Sequence, residues 1–425
     1  TALTWCFSGF HLGCGGLLDA TEGDFVSEDR STYDASHIQV LDPREAIRRR
    51  PGMYVGSADE RGLHHQLFEL CDWGVNEVLA GRAGRVDVTL APEGWVRIAV
   101  DGPRVAPDGG NADPRTPRLE ALLADVDAQP AVWSRHSVDL SRCGSRMGPF
   151  VANALSSRLT AEFMHGETRR VHRYERGFAV GPEAPQVSEA VDGAGAAPGT
   201  VVTFRPDAEV FGAAEHSFDV LAERFRELAF LNPGLDIHLT DQRSVDRARS
   251  ERFRSPGGVR DFVAFLAGRR ATASVHGKVH GFALEEPRIA GSVEVALSWG
   301  SDHGEEVRGF ANSSPTPCGG THVAGFRAGL AAAVAAFARE RGLVSPAAPG
   351  LDAGQVSGGL TAVVSVKLDR PEFTGATRGG LGNDGVRDRV ADAVREHLGA
   401  WLAEDPQLAA TVTDRVTAAL DALGG

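Results

Sequence analysis

His65 and Glu69 stand four residues apart in LHHQLFELCDWGVNEVLAG, residues 63–81. On a helix that spacing lets an imidazole and a carboxylate share a face and pass a proton between them. Glu69, Asp72, Trp73 and Asn76 recur at i, i+3, i+4 and i+7. Two acids, an indole and an amide then line one stripe, enough for acid–base work, polar anchoring and ring stacking on one wall of a pocket. Two plainer readings stand beside this one. The stripe is the solvated half of an ordinary amphipathic helix, or His65 is a helix-start histidine near a solvated glutamate.

The opposite side of the stretch predicts the helix that positions these groups. Leu63, Leu67, Leu70, Cys71, Gly74, Val75, Val78 and Leu79 fall on one apolar stripe of 3.6-residue period. Downstream, Val86 to Leu90 and Trp95 to Val100 read as two strands around Pro92-Glu93-Gly94. Arg158 to Phe163, Arg169 to Tyr174 and Val293 to Trp299 read as further strands. Helices are expected over Arg118 to Asp127, Phe218 to Phe230, Ala324 to Arg341, Val386 to Leu402 and Leu408 to Leu423. Pro51-Gly52 is a turn signal that suits the start of a strand.

Composition narrows the class. A chain of 425 residues is long for one domain, so two or three are expected. A net charge of −13 argues against a surface given over to nucleic acid. Lys278 and Lys367 are the only lysines, so arginine carries nearly all the positive charge. Five cysteines are scattered without metal-ligand spacing and fit a reducing compartment. No run of about 18 apolar residues is present, and the N-terminus has no basic leader; neither a membrane span nor a secretory signal is expected, and the location expected is the cytoplasm.

Several motifs in order resemble one family. ELCDWGVNEVLAG resembles the first motif of the ATPase domain of DNA gyrase B and its topoisomerase IV relative, E-x-x-D-N-A-x-D-E-A-L-A-G, in the GHKL superfamily. RPGMYVG at 50–56, GTVVTF at 199–204, RELAFLN at 226–232 and CGGTHVAGFR at 318–327 match further family motifs. The resemblance implies an α+β chain: an N-terminal extension at 1–32, a GHKL (Bergerat-type) α/β sandwich at 33–232, and a transducer-like domain of the ribosomal protein S5 type at 233–425.

The same resemblance assigns roles. It implies that Glu69 activates water beside His65, that Asp72, Asp101, Gly148 and Thr200 line the nucleotide pocket, and that Tyr33 lies on an arm reaching a partner protomer. Departures from the family concentrate at this site. Trp73 stands where an asparagine holds magnesium, Asn76 replaces an aspartate, and Val100 replaces the aspartate that anchors adenine. Arg104 replaces a glycine, Arg146 interrupts the phosphate cradle, and Arg378 replaces the γ-phosphate lysine. ATP and magnesium are therefore not expected as cofactors, and no metal site is assigned.

The expected ligand is a small anion or aromatic held among Arg104, Arg146, Arg378 and Trp73. Three functions stay open: an enzyme of specialised metabolism using His65 and Glu69, a non-catalytic gyrase-like binding, resistance or regulatory protein, and a residual ATPase. A homodimer through the arm, with gyrase subunits as further partners, is expected. DNA cleavage is not expected, since the family's cleavage partner region and Toprim domain lie beyond the motifs found.

Overall fold

The computed structural model describes residues 41–102, 119–128, 138, 148–165, 168–181, 199–244, 246, 248–269, 278–300, 304–344, 353–375 and 378–424. Two short helices open the described chain, α1 (Pro43–Arg49) and α2 (Gly52–Val55), followed by α3 (Glu60–Leu79). Pro51-Gly52 therefore starts a single helical turn, closed by Gly56 at φ 85°, and not the strand expected. Asp59 caps α3 by accepting from the Arg61 and Gly62 N–H groups.

The first sheet has eight strands among the described residues, in the order β5-β4-β3-β6-β2-β1-β7-β8. In chain order they are β1 (Val86–Leu90), β2 (Val96–Asp101), β3 (Ser156–His165), β4 (Thr168–Glu175), β5 (Phe178–Ala179), β6 (Gly199–Pro206), β7 (Ile237–Asp241) and β8 (Arg249–Phe253). The helices between them are α4 (Leu119–Ala124), α5 (Gly148–Ala154), α6 (Ala208–Phe211) and α7 (Phe218–Leu231). Residues alternate along each central strand. Val86, Val88, Leu90, Val96, Ile98, Val100 and Phe204 are buried under the helices, while Arg97, Thr89 and Thr203 lie on the open face.

The domain boundary expected at 232 is too early. β7 pairs in parallel with β1, and β8 pairs with β7, so the first sheet continues to Phe253. Leu235, Ile237, Leu239 and Phe253 add to its core.

The second sheet, β12-β11-β13-β10-β9, is built from β9 (His280–Glu286), β10 (Gly291–Trp299), β11 (Glu306–Ala311), β12 (Ser314–Pro315) and β13 (Leu360–Leu368). A hairpin, β14 (Phe373–Thr374) and β15 (Gly380–Leu381), comes after β13. The helices are α8 (Val259–Arg269), α9 (Thr321–Glu340), α10 (Ala353–Val356), α11 (Val386–Glu404) and α12 (Pro406–Gly424). α9 has the length and hydropathy of a membrane span. It is a core helix here, with Phe326, Leu330 and Val334 fully buried and α11 packed along it.

Two glycines set that helix pair. A β-carbon on Gly325 or Gly329 would lie 2.3 Å from the Arg387 carbonyl or 2.5 Å from the Ala391 carbonyl of α11. Gly399, on α11 itself, has open space instead. Gly329→Ala is therefore expected to destabilise by about 1–3 kcal/mol, while Gly399→Ala stabilises by roughly 0.5–1 kcal/mol. Urea unfolding of the two variants checks the opposite signs.

Candidate functional site

α3 is buried on more than its apolar stripe. Gln66, Glu69 and Asp72 are 0%, 3% and 7% exposed. Gln66 donates from Nε2 to the Ala152 carbonyl and the Ser156 hydroxyl, both at 3.0 Å, which ties α3 to α5 and the start of β3. Cys71 is fully buried, and burial followed by the charge of Asp72 pushes its thiol pKa well up, so it serves the core.

Glu69 and Asp72 thus stand as buried carboxylates on one face of α3, with half-buried His65 one turn before Glu69. That set can hold and move a proton. The more buried of the two histidines is His64, at 3% exposed. Its Nε2 accepts from the Ser217 N–H at 2.8 Å, and its ring meets His216 edge-on at 5.7 Å. This pair fixes the start of α7 against α3.

Three expected ligand residues are engaged within the fold. Asn76 accepts from the Val138 N–H at 2.8 Å and donates to the Val138 carbonyl at 3.1 Å. Both ends of its amide hold one backbone position. Asp101 accepts from the Gly84 and Arg85 N–H groups at 2.7 and 2.6 Å, pinning the turn after α3 to the end of β2. Trp73 is half-buried and rests on the first core, so part of its ring is packing and not a free stacking surface.

The sheet side of the site is apolar. Val100 is 4% exposed, belongs to the core, and stands opposite Thr200 of β6. A β-carbon on Gly74 would fall 2.7 Å from Val100 Cγ2, so helix and strand touch there. Thr200 is half-buried, between Val100 on one side and Phe163 of β3 on the other. Gly148 opens α5 at φ 45°, a left-handed backbone that suits glycine.

Arg378 takes φ 53° in the β14–β15 hairpin, with its guanidinium 4.7 Å from the Phe373 ring centroid. Cys318 N–H donates to the Gly379 carbonyl, and Leu381 N–H to the Gly319 carbonyl, so the hairpin is held to the start of α9. Tyr33, Arg104 and Arg146 lie outside the described residues. Among the described residues no three His, Cys, Asp or Glu side chains gather as a metal would need.

A GHKL-type sandwich joined to a transducer-like domain is the class that this fold and helix define. Residues 258–422 match the family model for DNA gyrase B. The chain is 38% identical over 405 residues to a novobiocin-resistant DNA gyrase B of Streptomyces niveus, across 92% of this chain and 58% of that protein. It is 38% identical over 397 residues to the DNA gyrase B of Streptomyces coelicolor, across 90% of this chain and 57% of that protein. The 43K ATPase domain of Thermus thermophilus gyrase B, solved with an aminocoumarin, superposes with a TM-score of 0.68 at 28% identity, across 88% of this chain and 94% of that one. The chain is similar in sequence and fold to the N-terminal ATPase and transducer regions of DNA gyrase B. It spans a little under three fifths of the length of the two Streptomyces relatives.

Asn76→Ala removes both bonds to Val138 and is expected to lower stability by about 1–3 kcal/mol; an unchanged urea midpoint would contradict the clamp. Two buried histidines give a pH dependence. Burial, then the charges of His64 and Arg243, holds the His216 pKa at about 3, below the ordinary 6.5. Burial alone holds His322 at about 4. The unfolded chain binds more protons between these values, so stability is full above pH 6.5 and falls as pH drops toward 4. The slope is on the order of 1 kcal/mol per pH unit per histidine. His322→Asn should flatten it, as read by urea unfolding at pH 7.5 and 5.

Proposed function

We propose that this chain is a gyrase B-like protein that does not hydrolyse ATP and acts as a non-catalytic binding protein in the cytoplasm, pairing with a second copy or with gyrase subunits. The observation that carries the reading is Val100. It occupies the family's adenine-anchoring position, yet it is apolar, 4% exposed and packed against α3 at Gly74. An adenine amino group buried there without an acceptor costs roughly 1–3 kcal/mol.

The other groups present also do not fit magnesium ATP. An indole at Trp73 offers no oxygen to a hard cation. Arg146 adds a side chain to the glycine cradle, and Arg378 at the γ-phosphate position lies over Phe373.

A second reading has one observation in its favour: Glu69 is kept and buried at 3% exposure, with His65 on the same face. In that reading the pocket transforms a small anionic or aromatic molecule by acid–base chemistry.

A phosphate-release assay on the full chain separates the first reading from an ATPase. No magnesium-dependent turnover above background is expected. Turnover that Glu69→Gln abolishes would overturn the proposal.

A further inference from the structure

A cleft of about 900 Å³ opens at the other end of the first sheet from Val100. Trp95 immediately precedes β2 and Asp101 ends it, so the two places are separated by the strand's length, roughly 20 Å. The volume suits a small ligand. Leu63, Leu90 and Phe211 form buried apolar wall, and half-buried Trp95 adds an aromatic one.

The charges of the cleft are not equally free. Asp207 is held by Arg48 at 2.6 Å, and Asp241 by Arg243 at 2.6 Å. Arg205 also lines the cleft, is exposed, and has no ion pair among the described residues. Its register partner on β3 is Arg158, whose side chain is 69% exposed and meets Glu175 only at 3.4 Å. Like charges directly opposite on antiparallel strands repel. An anion shared between two guanidinium groups removes that repulsion and gains charge-assisted hydrogen bonds.

Val96 pairs with Phe204, so Trp95, one residue earlier, lies across from Arg205. Exposed Glu215 at the cleft's edge repels an anion near it, and Arg205 offers the charged end a guanidinium without an ion pair among the described residues.

We infer that this cleft is a second ligand site for a small aromatic anion, with the ring against Trp95 and the anionic group on Arg205, while Arg158, the register partner of Arg205 outside the cleft lining, adds positive charge beside it. The site is separate from the face of α3 that carries Glu69 and Asp72, and stands whether or not that face binds a ligand.

Phenyl phosphate is the probe, with inorganic phosphate and benzyl alcohol as its two halves, titrated into the full chain and followed by the tryptophan indole N–H resonances. Trp95→Phe assigns the Trp95 signal and keeps an aromatic wall. Phenyl phosphate should move the Trp95 signal and bind roughly tenfold tighter than either half. Arg205→Ala, at an exposed residue, should weaken it about tenfold, and Arg158→Ala about threefold. Movement confined to the Trp73 signal, equal binding by inorganic phosphate, unchanged affinity in Arg205→Ala, or no binding of phenyl phosphate would each overturn the assignment.

Discussion

The contact between Gly74 and Val100 sets the geometry of the first domain. With no β-carbon at Gly74, α3 lies directly against the sheet, and Val100 fills the space beneath it. The helix packs there through its buried stripe, whose Leu67, Leu70, Cys71, Val75 and Val78 share one core with the strands. The same packing fixes which side of α3 carries Glu69 and Asp72, and holds both away from water. An apolar residue at that strand position therefore serves the core and removes an acceptor from the pocket in one step.

The second domain is joined through a shared core and not through a loose linker. Phe230 of α7 stacks on Phe262 of α8 at 4.8 Å, and Phe262 meets Phe310 of β11 at 5.7 Å. Polar ties flank this seam: Asn232 donates to the Ser313 hydroxyl at 3.0 Å, and Arg224 to the Ser313 carbonyl at 3.3 Å. Asn312 and Ser313 hold left-handed backbone in the turn that makes these bonds, at φ 47° and 61°. His64 and Ser217 thus tie α3 to α7, and Phe230 and Leu231 of α7 share a core with the second sheet.

Periodic elements were readable from residues alone. The stripe in α3 and the alternation in β1 and β2 announce themselves because a regular set of their residues is buried, whereas β13, buried along nearly its whole length, has no alternation to read. Non-local pairings were not readable. β7 is short and pairs in parallel with β1, about 150 residues earlier, so RELAFLN looked like a boundary when the sheet had two strands still to come. Asn76 read as a pocket residue from its stripe, yet its partner is the backbone of Val138, 62 residues away. Pro51-Gly52 signals a turn without specifying the element that comes after it. The cleft beside Trp95 had no motif to mark it; the pairing of Arg158 with Arg205 becomes visible only once β3 and β6 are in register.

We propose that apolar packing at Val100 leaves an adenine amino group without an acceptor. Thermal unfolding with a non-hydrolysable ATP analogue and magnesium tests it most directly. A ligand at 100 times its dissociation constant stabilises a protein by about 2.7 kcal/mol. No rise in Tm is expected for the natural chain at millimolar analogue. A magnesium-dependent rise of several degrees in the natural chain, lost in Asp72→Asn, would contradict it.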